Sequence, residues 1–406
     1  MKAGYLSDYF DGVGAKKLTL VEVDPEASNQ HEFQGIHRLK QILGTPKEKV
    51  RLDSTYIRLA DDEDPEVIDS FATWSDVRRD NPDRSPEYHM YYAAEAGPLV
   101  YKCKPDDLLV VAKRHDGTLA IILAQSGSTH EKQLRWLFGL SEDLDRLDVH
   151  EVENGVDREL KFAARFILDE LGIDVETADD DWLDLILSRF GEKFPATSVF
   201  SDFARETLPE VNPKEDPDHT LLSWIEQEEM LFRTLERHIV SKRLDMGFED
   251  VDDFISYSLS VQNRRKSRVG HALEHHIERV LVEHDIRYSR GAETENRSKP
   301  DFIFPEITSY HDVDVPLSCL TMLGVKSTCK DRWRQVLSEA KRIEEKHLFT
   351  LEPGISENQT DEMKANSLTL VLPEELHLSF SEAQQGELLS LESFLVLLKE
   401  RQSDCH

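Results

Sequence analysis

The hydrophobic pattern of this chain changes period part-way along its length, and that change constrains the fold more than any other feature. In the first third, short runs at residues 17–23, 50–59, 88–93, 108–113 and 118–124 are rich in β-branched residues and alternate apolar with polar side chains. Alternation at every second residue is a strand pattern, because successive side chains on a strand point to opposite faces. Asp116-Gly117, between the last two runs, is a hairpin turn signal. Residues 36–43 carry Ile36, Leu39, Ile42 and Leu43 at helical spacing, with Gly44 as a stop. A helix there would plug one end of the strands, so residues 1–140 are expected to form a mostly-β, pseudobarrel-like domain.

Residues 191–406 read differently. Helical periodicity runs through 221–244, 251–261 and 267–284, apolar strands follow at 301–304 and 320–325, a helix at 331–345, and further strands at 347–351 and 368–372. Helices interleaved with short buried strands give a mixed sheet flanked by helices, an α/β core with its working residues at strand ends. Between the two parts, residues 141–190 are strongly acidic with one amphipathic segment at 160–171, and are read as a helical connector. Residues 209–218, with three prolines, read as a loop ahead of a long helix. A length of 406 residues accommodates two such domains.

The formal net charge of −31 argues at first against a polyanionic partner, since nucleic-acid affinity comes largely from lysines and arginines. The charge is unevenly spread. Acid is concentrated at 61–64, 179–181 and 210–218, whereas Arg264, Arg265, Lys266 and Arg268 form a basic run and residues 326–334 form another. A local cleft can be positive on an acidic protein. A salt-rich cytoplasm and a surface that aids solubility are both readings of the excess acid. No basic segment followed by an apolar core opens the chain, and no apolar run is long enough to cross a bilayer, so a cytoplasmic protein with no membrane partner is expected. Cys103, Cys319, Cys329 and Cys405 form no Cys-x-x-Cys pair, which argues against a structural zinc site.

The chemistry is concentrated at two strand ends. Asp301 follows Pro300 and precedes Phe302-Ile303-Phe304, while Lys326 ends an apolar run just where the chain turns polar. An acid and a lysine on neighbouring strand ends can hold a divalent cation and a water at one phosphate, which metal-assisted phosphodiester hydrolysis requires. Taken singly, each is also an ordinary strand-end residue at a surface. One acid holds a hard cation poorly, and the position two before Lys326, on the same strand face, is Gly324. Glu339 is the candidate replacement, at the rim of the helical stripe Trp333, Val336, Leu337, Ala340 and Ile343. Glu274, on the helix before Asp301, is a further acid. The pair His271 and His275 has zinc-ligand spacing but lacks the His-Glu-x-x-His order.

These pieces, in order, are residues 261–270, Leu273-Glu274, Lys299-Pro300-Asp301-Phe302, residues 325–335 and 347–351. Together they resemble the catalytic domain of EcoRII-type restriction endonucleases over residues 194–380. The resemblance implies a restriction-endonuclease core with a displaced second acid. Asp301 and Glu339 then hold Mg²⁺, Lys326 is the catalytic lysine, and Glu274 is an additional helix acid. It implies that Lys330, Asp331 and Arg332 read bases of a C·G-rich site; the basic run Arg264, Arg265, Lys266 and Arg268 is expected to contact DNA as well. It also implies an extruded central base, for which Trp224 is the stacking candidate. The piece His31 to His37 faintly resembles the effector domain of the same family, which binds a second copy of the site; Lys102, Lys104, Lys113, Arg114 and His115 are the cations available to it here.

The expectation is a Mg²⁺-dependent type II restriction endonuclease acting on double-stranded DNA as a homodimer. A modification- or structure-dependent nuclease and a DNA-binding regulator with a degenerate nuclease fold are the rivals.

Overall fold

The computed structural model describes residues 5–28, 30–61, 63–81, 83–141, 144, 147–152, 162–173, 182–329 and 332–403. The chain divides into two compact units, one of Lys2–Asp174 with Gly354–Gln359, the other of Val175–Pro353 with Thr360–His406.

The first unit is built on one sheet of eight strands: β1 (Phe10–Lys17), β2 (Glu32–Phe33), β3 (Val50–Leu59), β4 (Glu66–Asp76), β5 (Tyr88–Tyr92), β6 (Leu108–Arg114), β7 (Leu119–Ala124) and β8 (Asp148–Glu151). Their order is β2-β5-β4-β3-β7-β6-β1-β8, antiparallel except for β3 beside β7. One apolar core takes side chains from both ends of the sheet, Phe33 on β2 and Val149 on β8, together with Leu39 and Ile42 of the short helical stretch. That stretch ends at Gly44, whose φ of +75° suits glycine. It lies hard against β1: a Cβ at Gly14 would sit 2.3 Å from Leu39 Cδ2, and one at Gly12 would sit 2.4 Å from Ile42 Cγ2.

Two local expectations fail here for identifiable reasons. Residues 17–23 are not a strand; β1 ends at Lys17 and Leu20–Val23 is a helical turn. Glu22 makes it so, because its buried carboxylate accepts from the Thr19 N–H and hydroxyl at 2.8 Å and from Lys16 Nζ at 2.7 Å. Strand β4, rich in Asp, Ser and Thr, was hidden by its polar surface pattern. Of the residues assigned to the connector, β8 pairs with β1, and the Leu183–Phe190 helix contributes Ile186 to a core with Phe200, Phe203, Met230 and Leu235 of the second unit. The acids 179–181 lie outside the described residues.

The second unit carries a five-stranded mixed sheet of β9 (Ser289–Arg290), β10 (Phe302–Phe304), β11 (Thr321–Lys326), β12 (Lys346–Thr350) and β13 (Leu368–Val371), in the order β13-β12-β11-β10-β9. β9, β10 and β11 are antiparallel neighbours; β11, β12 and β13 run parallel. The expected helices 251–261 and 267–284 are one helix, Val251–Glu283, because no breaker lies between them. It follows the Pro217–Met246 helix, whose start is set by Asp216 accepting from the His219 N–H at 2.9 Å. Buried Asp218 then accepts three backbone N–H groups, from Glu374, Leu391 and Glu392, which ties the first turn of that helix to the C-terminal Leu391–Ser403 helix.

Candidate active site

In the register of β10 and β11, Phe302 faces Leu323 and Phe304 faces Thr321, so the entry to β10 lies beside the exit of β11. Phe302, Ile303 and Phe304 are fully buried, and Asp301 is the polar residue at their head. Lys326 Nζ donates to Asp301 Oδ2 at 2.9 Å, and the Val325 N–H donates to the same oxygen at 2.6 Å. Two residues separated by 25 positions therefore meet at one partly exposed strand end.

The absence of an acid at position 324 has a packing cause. The short Trp333–Leu337 helix crosses β11 so closely that a Cβ on Gly324 would lie 2.9 Å from Val336 Cγ2 and 3.1 Å from its Cγ1. No carboxylate fits there without moving the helix. That helix is also shorter than the expected span of 331–345. It ends at Leu337, and Ala340, with φ of +44°, turns the chain away. Glu339 therefore sits on the turn and not on a helix face. One of its carboxylate oxygens, Oε2, is buried with no hydrogen-bond partner among the described residues. Burial pushes the Glu339 carboxyl up to about 7; the Lys326 charge opposes the rise, the Asp301 charge adds to it and the Lys346 charge opposes it again. Glu339 thus feels the charges of both Asp301 and Lys326.

A buried, unpartnered carboxylate oxygen beside a second carboxylate fits a hard cation that keeps several waters, as Mg²⁺ does. Among the described residues no group of three or more His, Cys, Asp or Glu forms a ready-made metal site. Glu274 is held differently. It accepts from Arg290 Nη2 at 2.8 Å, and Arg290 also binds Glu278 and His275 Nδ1. Arg290 lies on β9 opposite Phe302, next to Asp301 in sequence, and nothing in the sequence spacing announced it. His275, engaged by Arg290, does not form a metal pair with His271 in this arrangement.

The expected DNA contacts separate into two groups. Arg332 is exposed at the start of the Trp333–Leu337 helix, its N–H donating to the Cys329 carbonyl at 2.7 Å, and Lys266 is exposed on the long helix. Lys330 and Asp331 lie outside the described residues. The other residues have partners within the protein. Arg268 is 7 % exposed, its guanidinium bonded to Glu228 at 3.2 Å and to Glu229, with the Phe232 ring 4.3 Å away. It is an internal ion pair. Arg265 is tied to buried Glu236 at 2.6 Å, and Arg264 covers the Phe194 ring at 4.2 Å. Trp224 is 4 % exposed, packed against His276 with Arg205 over its ring. His276 joins this network, accepting from Arg205 at 2.9 Å and meeting Glu228 at 2.9 Å, and burial depresses its pKa. In the first unit Lys102 pairs with Glu66, and Lys113 and His115 pair with Asp11, while Lys104 is exposed. No helix among the described residues is long and apolar enough to cross a membrane.

Residues 232–395 match the family model described as EcoRII C terminal. The type II restriction enzyme EcoRII of Escherichia coli is 42 % identical over 207 residues, 51 % of this chain and 51 % of that protein. The chain thus spans about half the length of this curated relative. Among solved structures, metal-depleted Ecl18kI in complex with uncleaved, modified DNA is 18 % identical with a TM-score of 0.46, covering 56 % of this chain and 86 % of that one. A PspGI–substrate DNA complex is 16 % identical with a TM-score of 0.43, covering 52 % of this chain and 94 % of that one.

Proposed function

We propose that this chain, whose residues 232–395 carry an EcoRII C-terminal domain, is a type II restriction endonuclease that hydrolyses both strands of double-stranded DNA at a short C·G-flanked site. The observation that carries the reading is the strand-end pairing of Asp301 with Lys326, together with a Glu339 carboxylate oxygen that is buried with no hydrogen-bond partner among the described residues. Asp301 and Glu339 would hold Mg²⁺, which when bound would supply Lewis acidity at the attacked phosphate. The Lys326 ammonium, oriented by Asp301, directs the attacking water and neutralises charge that builds on the phosphate oxygens. Attack in line with the leaving 3′ oxygen leaves a 5′-phosphate on the product. Glu274 acts through Arg290 as a positioning residue beside β10.

Arg332, with Lys330 and Asp331, reads the C·G pairs: Arg and Lys suit guanine O6 and N7, and a carboxylate accepts from cytosine N4. The protein works as a cytoplasmic homodimer, because two strands are to be cut and each chain carries a single Asp301–Lys326–Glu339 set. The first unit is a pseudobarrel, a reading supported by the common core that joins both ends of its sheet. It binds a second copy of the site and releases the nuclease unit. Sequencing the ends of plasmid digested in Mg²⁺ tests the proposal. Fixed ends at one short sequence are expected, and ragged ends would assign the chain to a structure-dependent nuclease.

A further inference from the structure

The two long helices of the second unit form an antiparallel hairpin, as the pairs Glu228–Arg268, Glu236–Arg265 and Arg243–Asp253 require. The base of this hairpin is core. Beyond it, no residue between Glu236 and Arg268 is buried. The outer part is nonetheless well built. Gly247, at φ +75°, ends the first helix, and the Asp250 side chain caps the second by accepting from the Asp253 N–H at 2.8 Å. Arg243 joins the Gly247 carbonyl and Asp253 and lies 4.6 Å from the Phe248 ring, which packs on Phe254 and Tyr257. The arm is thus held by its own contacts while its outer face stays in water.

That outer face has a pattern. Asp252, Ile255, Leu259, Gln262 and Lys266 are all exposed and recur at spacings of three and four, which is the seam of a helix that packs against another helix. Val251 is 70 % exposed, Leu259 53 % and Ile255 47 %, a cluster of large apolar side chains on a strongly charged protein. The seam is acidic at one end and basic at the other. When such a helix pairs antiparallel with an identical one about a two-fold axis, position i meets position j and j meets i. With Leu259 on the axis, Asp252 of each copy faces Lys266 of the other, seven residues from the centre on either side.

From this self-complementary charge we infer that the occupant of the seam is a second copy of this chain, and that the homodimer of the proposed reading closes through residues 251–266 of its long helices. The inference rests on that reading only for the need of two copies. The surface itself is argued from exposure, heptad spacing and charge.

Sedimentation velocity of the full chain, without DNA and over a concentration series, tests it. A dimer is expected for the parent. Ile255→Asp combined with Leu259→Asp should raise the dimer dissociation constant by at least about 100-fold, since central apolar contacts dominate small interfaces. Asp252→Lys and Lys266→Asp should each weaken it by about fivefold, in the range of exposed ion pairs counted twice by symmetry, and the two together should restore the parent value. All four positions are exposed, so the urea midpoint of each variant should match the parent at concentrations where both are monomers. A monomeric parent, a dimer that survives the apolar pair of substitutions, or a charge swap that loses the sum of its parts would overturn the assignment. So would a Lys266→Asp variant that dimerises normally but binds DNA less well, because Lys266 would then face DNA. A parent that dimerises by this seam but does not cut would refute the endonuclease reading alone.

Discussion

Gly324 and Val336 determine each other: the helix that carries Val336 can cross β11 only because position 324 has no Cβ, which would otherwise lie 2.9 Å from Val336 Cγ2. The same contact leaves no room for an acid two positions before the lysine; in the proposed reading Glu339, three residues beyond Val336, supplies the second carboxylate.

The first prediction follows directly. Gly324→Ala should destabilise the second unit by about 1–3 kcal/mol, the usual cost of overpacking a filled site, read as a lower urea midpoint. Gly324→Glu should not recover cleavage in a Glu339→Ala background. Recovery there would show that the helix yields and that packing does not explain the glycine.

The second prediction uses the titration of Glu339 in protein freed of divalent cations with EDTA. Its folded carboxyl titrates near 7 against an ordinary 4.5, so the folded state binds the proton more tightly than the unfolded state. Stability must then fall as pH rises from about 4.5 to about 7 and level off above. Glu339→Gln should remove that part of the slope, gaining on the parent progressively across the window. Parallel stability curves for parent and variant between pH 4.5 and 8 would contradict a carboxyl whose titration is raised by burial.

A third prediction separates core from recognition. Trp224→Phe should lower the urea midpoint through lost packing yet keep cleavage within about tenfold of the parent, whereas Trp224→Ala should cost about 3–5 kcal/mol. A Trp224→Phe protein of normal stability that no longer cuts would return the indole to the DNA.

Arg332 carries the fourth. A bidentate guanine contact is worth about 1–3 kcal/mol and is lost only on the cognate sequence. Arg332→Ala should therefore impair cognate binding far more than random-DNA binding at one fixed salt concentration. Equal loss on both would make Arg332 a phosphate contact.

Much of the second unit was legible because its strands are short, apolar and buried on both faces, and because Pro300-Asp301 and Lys326 mark where two of them meet water. The partners that redirect side chains were not. Glu228 is the instructive case. A helix glutamate reads as solvated, yet it is fully buried and collects Arg268 and His276, so the basic run that looked like a DNA contact is half internal. Trp224 lies in the same network. In the first unit Glu22 had a similar effect, capping a helical turn at Thr19 and pairing with Lys16 of β1 where β-branched residues suggested a continuing strand. Long-range polar burial leaves no periodic trace, whereas apolar burial does. The seam at Asp252, Ile255, Leu259 and Lys266 is periodic, but it became visible only when the structure left those residues uncovered.

The central claim is that Asp301, Lys326 and Glu339 form one hydrolytic site, and single-turnover cleavage in Mg²⁺ measured beside DNA binding tests it most directly. Asp301→Ala, Lys326→Ala and Glu339→Ala should each abolish cleavage while binding cognate DNA nearly as the parent does, since a lost ligand or charge at the reacting phosphate acts on the chemical step. Any one of the three cutting within about tenfold of the parent would contradict the site as described here.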